Sequence, residues 1–168
     1  VADFSSLVLA GSVSDAISIS FYVEFDDFEG NAQTISSEVF ALGLTPGTAT
    51  NLVIDNDSQV RANRDALGAL GISLHDAFGN VVLDRTDQIT ATIVSGPGGN
   101  LSGTTAITVP AAASASAVVS FGDLVISGLV GVHIIEFASD QAGIATVSHA
   151  VTLTHGAATK LSVVTPAS

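Results

Sequence analysis

Apolar and polar residues alternate with a period of two along most of the chain, and helical spacing of apolar positions is nearly absent. Ile89, Ala91 and Ile93 fall on one side of a segment whose other side carries Thr90 and Thr92. The same alternation runs through Ala49–Ile54, Leu70–Leu74 and Val147–Thr154. Segments rich in Val, Ile and Thr with this period predict half-buried β-strands. Between them stand turn signals: Asp76-Ala77-Phe78-Gly79-Asn80, Gly96-Pro97-Gly98-Gly99-Asn100 and Ser139-Asp140-Gln141-Ala142-Gly143. Short strands punctuated in this way predict an all-β, antiparallel sandwich. Its expected core includes Leu52, Ile54, Ile72, Leu74, Val82, Ile89, Ile93, Phe121, Leu124, Ile126, Ile135, Phe137, Val147, Val151 and Leu153.

The chain also matches itself. Val1–Gly11 aligns with Val118–Gly128, with Phe4 on Phe121, Leu7 on Leu124 and Leu9 on Ile126. Val23-Glu24-Phe25 aligns with Ile135-Glu136-Phe137, and Gly47–Val53 aligns with Gly156–Ser162. Three anchors in one order, with the length differences confined to turn regions, are the mark of tandem repetition. The alignment divides the chain into residues 1–45, the second half of one repeat; 46–154, a complete repeat; and 155–168, the first strand of a following one. With only three or four strands, 1–45 is expected to leave one apolar face uncovered. That last strand, Ala158, Thr159, Leu161 and Val163 among its residues, is expected to pair with strands outside 46–154, because an unpaired edge exposes backbone groups and apolar surface.

Several segments carry a family resemblance: Asp76-Ala77-Phe78-Gly79-Asn80-Val81-Val82, Ala91-Thr92-Ile93, Leu101-Ser102-Gly103-Thr104-Thr105, Phe121-Gly122-Asp123-Leu124 and His155–Leu161. Together they resemble bacterial immunoglobulin-like repeats, stacked in large secreted or surface-anchored proteins and related in architecture to invasin and intimin stalks. The resemblance implies an immunoglobulin-like β-sandwich in tandem, one copy complete and one partial, located outside the cell or on its surface. It implies no catalytic residues. Such domains often carry a tyrosine on the penultimate strand that ties a corner to nearby backbone. The equivalent slot is His133, aligned with Phe21, and a buried core or corner role is expected for it.

Composition sharpens this picture. Charged residues make up 12% of 168, mean hydropathy is +0.57, and sixteen acidic residues face four basic ones for a net charge of −12. Four scattered cations cannot replace the counterions of a nucleic acid, and no basic cluster suits an anionic membrane. There is no cysteine, so neither a disulfide framework nor a thiol nucleophile. His75 adjoins Asp76 with Ser73 two residues before, but adjacent strand residues point to opposite faces and form no relay. Nothing predicts an enzyme.

The candidate metal site is Asp55-Asn56-Asp57, whose closely spaced oxygens suit calcium at a repeat junction; Glu24, Asp26 and Asp27 cluster similarly. Asn56 and Asn100 head acceptor patterns for N-linked sugar in expected surface loops. The function expected is a non-catalytic structural or adhesive module in an end-to-end stalk or filament. Its partners would be neighbouring repeats or identical subunits, joined by strand pairing. The alternative is a module that grips a glycan or host receptor with the end loops 76–80 and 139–143.

Overall fold

The computed structural model describes residues 3–13, 16–55, 59–83, 85–110 and 118–162. The described residues form strands, turns and extended segments, with no helix. Residues 3–45 hold β1 (Ile17–Ile19), β2 (Tyr22–Asp26), β3 (Ala32–Ser36) and β4 (Phe40–Leu42). Next come β5 (Ala49–Ile54), β6 (Gln59–Ala62), β7 (Leu70–Asp76), β8 (Gln88–Ser95) and β9 (Gly99–Ser102). The series closes with β10 (Ala106–Thr108), β11 (Val118–Phe121), β12 (Val125–Gly128), β13 (Gly131–Ser139) and β14 (Val147–Thr154).

Two sheets form the body of the protein. One has the order β10-β8-β13-β14-β6 and the other β11-β7-β5. All their pairings are antiparallel except β14 with β6, which run parallel from Val151↔Gln59 to Thr154↔Ala62. A short β12–β9 ribbon lies beside them. The inward residues of both sheets meet in one apolar core that runs from Ala49 to Leu153 and includes the residues expected above except Ile54, Ile93 and Val147. The Phe121 and Phe137 rings, one from each sheet, lie 5.1 Å apart at its centre. Ile54, Ile93 and Val147 are only partly buried, whereas Leu67, Leu70, Val109 and Val119 join the buried set.

The strand directions give this body two distinct ends. β5 starts, and β7 and β13 finish, at the entry end, beside the 76–80 and 139–143 turns. β14 leaves from the opposite end, where Asn63 N donates to Thr154 O. Eight residues of β14 at strand rise separate the two ends by about 25 Å.

Residues 3–45 pair differently. β1 pairs with β4 and β2 with β3, both antiparallel. Residues 3–13, although aligned in sequence with β11 and β12, belong to no strand. β11 and β12 have ladders because β7 and β9 lie beside them, and among the described residues no strand pairs with residues 3–13. Past β14, residues 155–162 are exposed and form no strand.

Candidate functional site

The chemistry is concentrated at the entry end. Asp76 closes β7, and its buried carboxylate caps the turn that follows. One oxygen accepts from Phe78 N and Asn80 N, both at 2.9 Å; the other accepts from Gly47 N at 2.8 Å and Asn80 Nδ2 at 2.9 Å. Gly79 supplies the positive φ of 82° that the turn requires. With four donors on it, the carboxyl is held well below the usual carboxylate range. The Asn80 amide is the largest cause and the Gly47 N–H the next, against an opposing effect of burial.

Asn80 carries the turn outward. Its Oδ1 accepts from Val13 N at 2.9 Å, and its Nδ2 donates to Gly11 O at 3.1 Å. One side chain thus clamps the backbone at Gly11 and Val13, within residues 3–45, against the sandwich, while Asp76 holds Gly47 of the connecting segment beside it. A crevice lined by Leu9, Gly11, Leu44, Gly47, Phe78 and Asn80 marks the seam. The 139–143 turn is tied down as well. Gln88 N donates to Asp140 Oδ1, Ser139 Oγ donates to Asp87, and Asp87 forms a bidentate pair with Arg85 at 2.9 Å.

His133 is fully buried, and its Nε2 lies 2.9 Å from Leu129 O, four residues upstream. The carbonyl can only accept, so Nε2 carries the proton and the ring ties the corner before β13. Gly96 makes room for it: a Cβ there would sit 2.6 Å from Nδ1.

Ser73 and His75 do touch, with Oγ 2.9 Å from Nε2 and the other ring nitrogen 2.9 Å from Gly79 O. Residues two apart share a strand face, which allows this pair; Asp76 faces the other way, into the turn. The buried Ser73 hydroxyl offers no access to a substrate carbonyl. The contact ties β7 to its turn.

The remaining sequence candidates are dispersed. Asn56 and Asp57 lie outside the described residues, as does Val163; Asp55 follows β5 directly, its N–H donating to Gly71 O. Asp27 spends its carboxylate inside the β2–β3 turn, accepting from Glu29 N, Asn31 N and Gln33 Nε2. Among the described residues no three acidic, histidine or cysteine side chains gather around a common point. Asn100 corrects one expectation: it lies within β9, paired with Ser127, not in a loop, because the Gly96–Gly98 turn is shorter than its sequence suggests. Ala158, Thr159 and Leu161 are exposed on the departing tail, Leu161 at 97%.

Residues 1–45, as half a sandwich, were expected to leave an apolar face uncovered, and such a face is present in residues 3–45. A cleft of about 480 Å³ in residues 3–45 is lined by Phe4, Leu7, Leu9, Phe21, Phe40 and Leu42. Phe4 and Leu7 are 54% and 55% exposed, whereas the residues aligned with them, Phe121 and Leu124, are fully buried in the sandwich. Val23 and Phe25 are likewise exposed where Ile135 and Phe137 are buried. The internal alignment held the signal, since it pairs each open position with a core one.

No family model matches the chain, and neither does any curated protein. Among solved structures, it is similar to two of β-glucuronidase from Parabacteroides merdae, one with glycerol in its active site. The TM-score is 0.42 for both, with 14% and 15% identity over 80% and 79% of this chain. The chain spans only 16% of the length of either. A likeness of that size carries no statement about activity.

Proposed function

We propose that the protein is a non-catalytic, load-bearing module of an extracellular or cell-surface array, built from immunoglobulin-like repeats joined end to end. The observation that carries this reading is the path of the chain: it enters the sandwich at one end and leaves at the other, with β6 and β14 parallel between. Tension along such a chain pulls those two strands past each other and loads their whole ladder in shear. The strand order also supports an immunoglobulin-like assignment, with an early strand on each sheet and the parallel pair at one edge. In this reading residues 1–45 are the back half of a repeat, 46–154 a whole one and 155–168 the start of another. Residues 3–13 lack a ladder because the front half that would pair with them is not beside them.

The glycan- or receptor-binding alternative needs free end loops. The 76–80 turn is instead committed to Gly11, Val13 and Gly47, which suits a junction between repeats. Spin labels on cysteines replacing Glu38 and Thr159 test the arrangement, in a chain with no cysteine of its own. An in-line module gives one narrow distance distribution centred beyond about 30 Å. A broad distribution, or one at much shorter distance, would contradict it.

A further inference from the structure

We infer that the open face of residues 3–42 receives the departing tail, residues 156–162, of a second copy of this chain; the inference rests on the end-to-end reading above and names its partner. The face has the composition of a core. Phe4 and Phe21 lie 4.6 Å apart, and the cleft beside them is lined by aliphatic and aromatic side chains. The tail has the composition of what covers such a core. Leu161 aligns with Leu52 and Ala158 with Ala49, and both aligned residues are buried in β5. There β5 spans the two sheets: it pairs with β7, while Leu52 N donates to Ala145 O and Ala145 N to Thr50 O. Leu161, the counterpart of a buried leucine, is the more exposed for having no such site.

Charge selects the tail over the other occupant a second copy could offer, its own open face. Residues 1–45 hold seven of the sixteen acidic residues and no Lys, Arg or His. Face-to-face packing would bring together two segments that each carry this uncompensated negative charge, which opposes association. Residues 155–168 hold Lys160 and His155 and no acidic residue. Arg61 and Arg64 stand at the same end, where Arg64, Asp65, Gly156 and Thr159 line one groove. Face and tail lie at opposite ends of the molecule, so a chain cannot fill its own face. The contact is heterologous and grows into a filament.

Sedimentation of the full chain over a range of concentrations, with two single variants, tests this. Leu7→Asp spoils the face and Leu161→Asp the tail, both at exposed positions, and near-UV circular dichroism checks that each sandwich stays folded. The wild-type chain should form a concentration-dependent series of oligomers that shortens with added salt. Each variant alone should associate at least about tenfold more weakly. An equimolar mixture of the two should form a dimer and nothing larger, because it holds one intact face for each intact tail. Val23→Asp serves as a second face variant and should behave as Leu7→Asp does. A Leu161→Asp chain that dimerises as well as wild type would overturn the inference in favour of face-to-face packing. A wild-type chain monomeric throughout would overturn it too. Neither result touches the load-bearing reading, which the spin-label distance tests separately.

Discussion

Replacing Asn80 with alanine separates the clamp from the core it stands on. The side chain makes three hydrogen bonds, two of which reach across 67 and 69 positions of sequence to Val13 N and Gly11 O. Each neutral side chain–backbone bond of this kind contributes about 1 kcal/mol net. Losing both should therefore weaken the hold on residues 11–13 by about 2 kcal/mol, or roughly 30-fold in the opening equilibrium. The third bond, to Asp76, belongs to the turn itself, where Gly47, Phe78 and Asn80 backbone donors remain. Native-state hydrogen exchange resolves the two effects. The Val13 amide should exchange about 30-fold faster in the Asn80→Ala chain. Slowly exchanging amides in the β13–β14 ladder should change much less. Unchanged exchange at Val13 would mean that the amide does not hold the junction, and the reasoning from its geometry would fail.

The Asp76 carboxyl is depressed in the folded chain, chiefly by the Asn80 amide, so the stability it contributes is fully present above the ordinary carboxylate range, near pH 4, and lost as pH falls below it. Asp76→Asn should thus lower the melting temperature at pH 7, and its difference from wild type should narrow on acidification; a constant difference would argue against ionised Asp76 as the holder of the turn. His133→Phe keeps an aromatic ring but strands the Leu129 carbonyl, which should cost about 1–3 kcal/mol in denaturant unfolding. Gly96→Ala drives a methyl group against the same ring at a cost of about 1–3 kcal/mol, and a double-mutant cycle with His133→Ala should show strong coupling.

The sandwich body was legible in the sequence because its signal is local. β7, β8 and β14 each alternate over six or more residues, and a one-residue slip would turn a whole apolar row to water. β5 departs from alternation at a bulge between Ala49 and Asn51, which puts both Ala49 and Leu52 in the core. His133 was legible as a corner residue for the same reason: Val132-His133-Ile134-Ile135 dictates which face it takes. Asn100 was misplaced because a Gly-rich run reads as loop throughout, although a strand begins at Gly99 once β12 lies alongside. The Asp76–Asn80 turn stood out as a motif, but its reach to Gly11 and Val13 depends on where two distant segments meet. The Ser73–His75 contact depends on the turn bringing Gly79 O back to the ring. In residues 3–42 an uncovered face followed from half a sandwich having too few strands to cover it; which residues line that face, with Phe4 open where Phe121 is buried, required coordinates.

The central claim, that the module bears load along its chain, is tested most directly by pulling single molecules in two directions. Cysteines at Thr45 and His155 apply force across the two ends and shear the four residue pairs of the β6–β14 ladder together. Cysteines at Leu129 and His155 apply it at one end, peeling β14 from β13 a pair at a time from Gly131↔Leu153 onward. The account predicts a single cooperative rupture at clearly higher force in the first geometry than in the second. Equal forces, or easier rupture from end to end, would contradict it.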